Sequence, residues 1–344
     1  MEKVVTIEDV AKKAGVGRGT VDRVLHNRGR ISAETREKVL RCIEELNYKP
    51  NKAARMLARK GNYRIAVTFH NEEKEFWDQI QKGVDKAAEE YKVLGVTVDD
   101  YILPQIDIEA QLNIIRHVID SKYDGLAIVP YDSERITEAL KEAMEKGIEV
   151  VTFNNQDRNL NCCYIGHDGF QSGRTAGKMM SLIAKNNCRY AIVSAHSSIM
   201  NQIDERSEGF LEVINQNRKD MQFLGVLNFP EDCEEVYTKI RGIFSKKNQE
   251  IDAVYVTTAI AGTVAKAIED ENLNQKVIFI GHDLTETNIA YMKKGVIDIL
   301  IGQEPERQAY AAIDKICKKL LTDEEIGENE YTKISIVVTE NIDE

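Results

Sequence analysis

Residues Thr6–Leu25 read TIEDVAKKAGVGRGTVDRVL and predict two short helices joined by a tight turn. Thr6 is suited to cap the first helix with Asp9 at its third position, and Gly15 is suited to end that helix in the left-handed conformation. The second helix is expected to begin near Gly17. Two helices at this spacing form a helix-turn-helix, whose second helix fits the major groove of DNA.

Apolar residues recur at helical spacing along this stretch and predict a small shared core. The inward residues of the two helices are expected to be Ile7, Val10, Ala11, Ala14, Val21, Val24 and Leu25. The second helix is expected to leave Arg18, Thr20, Asp22 and Arg23 on its outer face. A third helix is expected to start at Ser32, with an apolar face made of Val39, Leu40, Ile43 and Leu46.

These residues resemble the lac-repressor family of bacterial transcription regulators, whose usual opening is TIxDVAxxAGVSxxTVSRVL. The resemblance continues through residues 32–39 (SAETREKV) and 45–51 (ELNYKPN). It implies a repressor that binds a pseudo-palindromic operator as a homodimer and is controlled by a small-molecule effector. In that family residues 51–58 (NKAARMLA) would be the hinge helix, which is too short to be stable alone, and Leu57 would be its minor-groove wedge.

The resemblance and the helix geometry together predict the side chains that meet the operator. They are Thr6, Gly17, Arg18, Thr20, Arg23, Asn27, Arg30, Lys38, Asn51, Ala54, Arg55 and Leu57. Gly17 and Asp22 depart from the family pattern, which has serine at both positions. Gly17 can still present its backbone N–H to a phosphate. Asp22 is expected to pair with Arg18 or Arg23, or to accept a hydrogen bond from a cytosine amino group.

The distribution of charge separates the N-terminal head from the rest of the chain. Residues 1–60 hold 15 Lys and Arg against 8 Asp and Glu, which leaves 31 against 49 in residues 61–344. A basic head on an acidic body predicts that only the head meets phosphate.

The composition indicates several buried cores and no membrane segment. No apolar run approaches the roughly 20 residues that span a bilayer, and the N-terminus is charged rather than signal-like, so we expect a cytoplasmic protein. The six cysteines include no C-x-x-C pair and are expected to be free thiols. The neighbours Cys162 and Cys163 are expected to belong to a strand rather than to a metal or redox site. No metal or cofactor is expected.

Beyond residue 61, eleven short apolar runs alternate with amphipathic helices, which predicts parallel sheets covered by helices on both faces. The runs span residues 64–69, 96–103, 125–130, 149–154, 163–166, 191–195, 223–229, 253–257, 277–282, 297–302 and 334–339. Eleven strands are too many for one sheet, so two doubly wound lobes are expected. This part resembles the type I periplasmic binding protein fold, which is the effector domain of lac-repressor relatives.

The resemblance implies a division of the chain into a head, a linker and an effector domain. The expected bounds are 1–49 for the helix-turn-helix head, 50–61 for the hinge helix and linker, and 62–344 for the effector domain. Within the effector domain we expect an N-lobe of about 62–158 and 304–331, and a C-lobe of about 159–303 and 332–344. Three crossing strands are expected near residues 155–165, 302–304 and 330–333.

Ligands in such sheets bind at the carboxyl ends of the strands. The residues expected to bind the effector there are Phe76, Trp77, Asp132, Asn154, Asn155, Asp168, Arg206, Asp283 and Gln303. Aromatic rings stack on the apolar faces of a sugar, and polar side chains satisfy its hydroxyls. One arginine among several carboxylates favours a neutral sugar over a phosphorylated one. Each Asp or Asn that follows a strand can instead cap the next helix, and that alternative stays open.

The sequence contains none of the phosphate-loop, nucleophile-elbow or zinc-protease motifs of common enzyme classes, so an enzyme is not expected. His167 and Asp168, or His282 and Asp283, cannot form an acid–base pair within a strand because adjacent residues point to opposite faces. Two alternatives stay open. One is a helix-turn-helix fused to a sugar-processing enzyme, and the other is a solute-binding protein whose head only oligomerises.

Overall fold

Three short helices make up the described part of the N-terminal region. The computed structural model describes residues 5–25, 29, 31–46, 48, 61–195, 200–229, 233–245 and 251–342. The chain divides into one unit of Met1–Gly61 with Leu321–Asp323, and a second unit of Asn62–Leu320 with Glu324–Glu344. The helices of the first unit are α1 (Ile7–Ala14), α2 (Arg18–Leu25) and α3 (Ala33–Glu45).

The ends of α1 are fixed by the residues that the sequence predicted. The Asp9 N–H donates to Thr6 Oγ1 at 3.3 Å, and the Thr6 N–H donates to Asp9 Oδ2 at 2.9 Å. This reciprocal pair satisfies two backbone donors that the first turn of the helix leaves without a partner. Gly15 ends the helix at φ 63°, in the left-handed region. The expected cap and stop of α1 are therefore confirmed.

The core of the first unit lies where the three helices meet. Its buried residues are Val10, Ala11, Ala14, Val21, Val24, Val39 and Cys42. The expectation that Leu40 faces this core is wrong, because its side chain is 45% exposed. One residue advances a helix by about 100°, so Leu40 points away when Val39 points inward. Cys42, three residues after Val39, takes the inner position instead.

The second unit alternates strands and helices as the sequence predicted. Its strands are β1 (Tyr63–His70), β2 (Val96–Leu103), β3 (Gly125–Ile128), β4 (Glu149–Phe153), β5 (Cys163–Gly166), β6 (Arg189–Ala195), β7 (Gln222–Phe229), β8 (Ala253–Val256), β9 (Ile278–His282), β10 (Ile299–Gly302), β11 (Glu330–Tyr331) and β12 (Ser335–Val337). Its helices are α4 (Lys74–Lys92), α5 (Ile108–Asp120), α6 (Glu134–Glu145), α7 (Gly169–Ile183), α8 (Asn201–Asn217), α9 (Cys233–Phe244), α10 (Ala261–Asp270), α11 (Glu286–Lys293) and α12 (Pro305–Thr322).

The strands form two six-stranded sheets, which confirms the expected pair of doubly wound lobes. The first sheet has the order β11-β5-β4-β3-β1-β2, and the second has the order β12-β10-β9-β8-β6-β7. We call the parts built on them the N-lobe and the C-lobe. The strand pairs are parallel except that of β10 with β12. Central strands such as β3 and β8 are buried along their whole length, as helices on both faces require.

The chain leaves the first sheet later than the predicted boundary at residues 158 and 159. β5 pairs with β4 in the N-lobe sheet, through Val151 opposite Cys163, and β11 pairs with β5. The prediction that assigned residues 159–303 to the C-lobe is therefore wrong for β5. A short apolar run buried on both faces carries no local signal of which sheet it joins.

None of the helices in the described part of the chain contains an apolar stretch that could span a bilayer.

Candidate functional site

A cavity lies between the two lobes at the carboxyl ends of their strands. The N-lobe lines it with His70, Glu73, Phe76, Trp77, Ile106 and Asn154. The C-lobe lines it with Met200, Ile203, Arg206, Thr258, Ala259, Asp283 and Gln303. Six of the nine residues that the sequence proposed for the effector site therefore lie together in this cleft.

Trp77 forms the aromatic wall of the cleft with its neighbours. Its ring stacks on Phe69, with ring centroids 5.7 Å apart, and meets the edge of Phe76 at 5.0 Å. The His70 ring lies 4.2 Å from it. Trp77 is only 2% exposed, and its indole N–H makes no hydrogen bond of normal geometry to a described residue. The wall is therefore rigid and apolar, with one buried donor.

Arg206 is held in place by atoms that follow β5 and β8. Its Nε and Nη2 lie 3.2 Å and 3.0 Å from Nε2 of His167, and its Nη1 donates to the Thr257 carbonyl. Burial, and then the adjacent guanidinium, hold the pKa of His167 well below its ordinary value. A neutral imidazole has a lone pair to accept from Arg206. The guanidinium therefore projects from α8 in a fixed orientation.

Asp283 and Gln303 belong to a hydrogen-bond chain that crosses from one lobe to the other. Gln303 Nε2 donates to Asp283 Oδ1, and Gln308 Nε2 donates to the Gln303 carbonyl at 2.8 Å. Asn154 Nδ2 then donates to Gln308 Oε1 at 3.1 Å. Asp283 adopts φ 71°, a conformation that Asp tolerates better than most residues. A movement of either lobe would disturb this chain.

The two lobes also touch on either side of the cleft. The Thr287 N–H, at the start of α11, donates to the Glu75 carboxylate at 2.9 Å. Arg158 of the N-lobe forms an ion pair with Glu205 of the C-lobe. These contacts hold the lobes in the arrangement that buries the cleft.

Glu73 is the principal residue of the cleft that the sequence reading missed. It lines the cavity at the start of α4, opposite Asp283 and Arg206. Burial, and then repulsion from Asp283 and Glu72, raise the pKa of Glu73 to about 7. Arg206 and Trp77 act in the opposite direction. Its position just after the carboxyl end of β1 is the same signal that identified Phe76 and Trp77, so it was available in the sequence.

Three predicted effector residues lie outside the cleft. Asp132 is exposed, because Gln111 ties down the segment before it by hydrogen bonds to Val129 and Tyr131. Asn155 donates to the Pro130 carbonyl at 2.7 Å. Asp168 caps α7 by accepting from the Gln171 N–H at 2.9 Å. The alternative that such a residue caps the next helix therefore holds for Asp168, and not for Asp132 or Asn155.

The exposed face of the first unit carries the predicted DNA-binding residues that the structure describes. Arg18 is exposed and its guanidinium lies 4.0 Å from the Glu8 carboxylate. Gly17 and Lys38 are also exposed, and Thr20 is half-buried. Arg23 folds back on α2, where its Nε donates to the Gly19 carbonyl at 3.1 Å. Six further predicted residues lie outside the described residues, namely Asn27, Arg30, Asn51, Ala54, Arg55 and Leu57. The predicted hinge helix lies outside them as well.

Two parallel-sheet lobes that enclose a buried polar cleft define a ligand-binding domain of the periplasmic binding protein class. The family model described as "Periplasmic binding protein domain" matches residues 65–324. The model described as "Bacterial regulatory proteins, lacI family" matches residues 6–51. The chain therefore belongs to the periplasmic binding protein domain family and carries the N-terminal head of the lacI family of bacterial regulatory proteins.

Known proteins resemble this chain at moderate sequence identity. Catabolite control protein A of Staphylococcus aureus is 28% identical over 215 residues, which is 62% of each chain. The sucrose operon repressor of Pediococcus pentosaceus is 28% identical over 208 residues, 59% of each chain. GanP, a glucose-galactose binding protein from Geobacillus stearothermophilus, has a TM-score of 0.73 at 24% identity, covering 82% of this chain and 99% of its own. The last similarity shows the fold alone.

Proposed function

We propose that the protein is a DNA-binding transcriptional regulator, a repressor, that responds to a sugar. The observation that carries this proposal is the joining, in one chain, of a capped helix-turn-helix head and an interlobe cleft lined by aromatic and polar side chains. The matched family models support both halves, and the named relatives are a control protein and a repressor rather than enzymes. The proposed action places the protein in the cytoplasm, where the operator is.

A homodimer on a pseudo-palindromic operator follows from the size of the head, because one recognition helix reads only a half-site. We assign the head to residues 1–49, the linker to 50–61 and the effector domain to 62–344. Arg18 and Thr20 are the proposed base contacts, and Arg23 and Lys38 lie nearer to phosphate. The exposed position of Arg18 supports its role.

The proposed effector is a neutral sugar. The Trp77 wall offers an apolar surface for a sugar ring, while Asn154, Arg206 and Asp283 converge from both lobes on its hydroxyls. A phosphorylated sugar fits less well, because the guanidinium of Arg206 already donates to His167 and Thr257, and because Glu73 and Asp283 would repel a phosphate.

Selection of duplexes from a random pool by the purified full chain tests the proposal. We expect the selected sequences to share a twofold-symmetric site that binds two chains. Absence of any duplex binding at low salt would favour a solute-binding protein whose head only oligomerises. Chemical turnover of a bound sugar would favour an enzyme.

A further inference from the structure

The described side chains that line the cleft carry more negative than positive groups. Glu73 comes from the N-lobe and Asp283 from the C-lobe, whereas Arg206 is the one guanidinium among the described lining residues. Arg206 also serves the protein itself, because its nitrogens donate to His167 and Thr257. One guanidinium therefore faces two carboxyl groups, of which Asp283 is buried and Glu73 is half-buried.

Among the described residues around Glu73, Arg206 is the one cation of fixed charge. Asp283 faces it from the loop after β9, Arg206 from α8 and His70 from the end of β1, while Glu72 and Trp77 flank it on its own segment. Burial raises the pKa of Asp283, and the nearby Arg206 lowers it by a smaller amount. The pKa of this carboxyl is therefore raised as well. Both carboxyl groups therefore favour their protonated forms more than they would in water.

A neutral sugar that enters the cleft displaces the water that solvates the two carboxyl groups, and it brings no positive charge of its own. Ionisation of both carboxyl groups therefore becomes less favourable when the sugar is bound. Two like charges in a dry site cannot both stay ionised at neutral pH, so one carboxyl takes a proton and becomes a hydrogen-bond donor. A sugar hydroxyl has lone pairs to accept from such a donor. An acidic residue can thus recognise a hydroxyl both as an acceptor and as a donor.

We propose that Glu73 is an effector-binding residue, and that binding of a neutral sugar takes up one proton from solvent onto the Glu73–Asp283 carboxyl pair. The proton resides on one of the two carboxyl groups in the bound state and returns to solvent when the sugar leaves. This inference rests on the proposed function, since it concerns the same cleft. Because binding takes up a proton, the sugar is expected to bind more tightly at lower pH.

Calorimetric titration of the full chain with D-ribose, D-glucose, D-galactose and sucrose tests the inference. For a sugar that binds, we expect its Kd to rise about tenfold per pH unit above about pH 7.5 and to level off below about pH 6.5. Titration in phosphate and in Tris, whose ionisation enthalpies differ, counts the protons. We expect nearly one proton taken up per sugar at about pH 8.

Glu73→Gln supplies the decisive variant, because the amide keeps the shape of the side chain and cannot titrate. We expect it to flatten the pH profile and reduce the proton count to nearly zero. Glu89→Gln is the matched control, an exposed glutamate of the same helix, and it should behave as the wild type. A wild-type chain that binds a sugar with no proton uptake overturns the inference alone, as does a Glu73→Gln chain that keeps the pH slope. Failure of all four sugars at every pH contradicts the proposed effector class and this inference with it.

Discussion

At the scale of single residues, Gly17 shows what a departure from the family pattern does to the head. Its carbonyl accepts the first hydrogen bond of α2, from the Thr20 N–H at 2.8 Å, so it occupies the N-cap position. A side chain there would meet no described atom within 4 Å. The glycine is therefore not required by packing, and its φ does not lie in the left-handed region.

We predict that Gly17→Ser stabilises the head and strengthens operator binding. Serine caps a helix better than glycine by a few tenths of a kcal/mol, and its hydroxyl adds a donor near the phosphates. Thermal unfolding and operator titration measure the two effects. Gly19→Ser is the matched control, since it also meets open space but lies inside the helix. It gains only helix propensity, and it should leave operator binding unchanged. Weaker operator binding by Gly17→Ser than by the wild type would contradict the prediction.

A second prediction concerns Glu73, whose raised pKa makes the free energy of unfolding depend on pH. The pKa rises from 4.5 to about 7 on folding, so between these values the folded chain binds more protons than the unfolded chain. The free energy of unfolding therefore falls as pH rises through this range. We expect Glu73→Gln to exceed the wild type in stability by on the order of 1–3 kcal/mol at about pH 8, and by little at about pH 5.

Urea unfolding of the two chains at both pH values checks this prediction. Glu89→Gln should leave the stability unchanged at both, since that carboxyl is exposed. If the free energies of unfolding of Glu73→Gln and the wild type differ by the same amount at both pH values, the raised pKa of Glu73 is contradicted.

The cleft residues illustrate how far the sequence predicts a site. Trp77, Arg206 and Asp283 were predictable because a parallel sheet gathers its ligands at the carboxyl ends of its strands. Asp132 and Asp168 follow strands in the same way, yet one lies at the surface and the other caps α7. The choice between capping a helix and facing the cleft depends on the path of the chain after the strand. That path is fixed by tertiary contacts such as those of Gln111, which the local sequence does not contain.

At the scale of elements, helices α2 and α3 of the head are assigned different tasks. α2 presents Arg18 on its exposed side, while α3 presents Lys38 outside the core. A side chain that reads a base edge changes which sequence is preferred, whereas one that meets phosphate affects every sequence alike. Substitution of Arg18 is therefore expected to change the preferred sequence, whereas substitution of Lys38 is expected to weaken binding to every sequence.

We predict that Arg18→Ala changes the selected sequence and weakens binding to the wild-type operator by about 1–3 kcal/mol. Lys38→Ala should weaken all duplexes equally and reduce the salt dependence by about one counterion. Parallel selection and titration over a range of salt separate the two outcomes. An Arg18→Ala chain that selects the wild-type site would refute the base contact.

The elements themselves were largely predictable, and their sheet membership was not. Each of the eleven predicted apolar runs corresponds to a strand. Central strands such as β3 and β8 are apolar because they are buried along their whole length, whereas the edge strands β2 and β7 are partly exposed. β11 has only two residues, too few to leave a pattern. β5 was assigned to the wrong lobe because its buried run pairs equally well with either sheet on local grounds. The sheet that such a strand joins is determined by pairing with strands distant in the sequence.

At the scale of the whole molecule, the proposed function requires communication between the cleft and the operator. A ligand that prefers one arrangement of the lobes shifts the population toward it, by as much as its affinities for the two arrangements differ. The contacts that cross between the lobes, through the Gln308–Gln303 bond and the Glu75–Thr287 pair, are those that such a shift would break or form. The same sugar must therefore change both the occupancy of the cleft and the affinity for the operator.

Trp77 makes both quantities accessible in one titration, because it is the single tryptophan of the sequence and lines the cleft. The most direct test follows Trp77 fluorescence and operator binding together while a neutral sugar from the panel is added to the full chain. We predict a saturable change in fluorescence with the same midpoint as a change in operator affinity, and loss of both in Arg206→Ala and Asp283→Ala chains that still fold and bind DNA. Saturable sugar binding that leaves operator affinity unchanged would contradict the account.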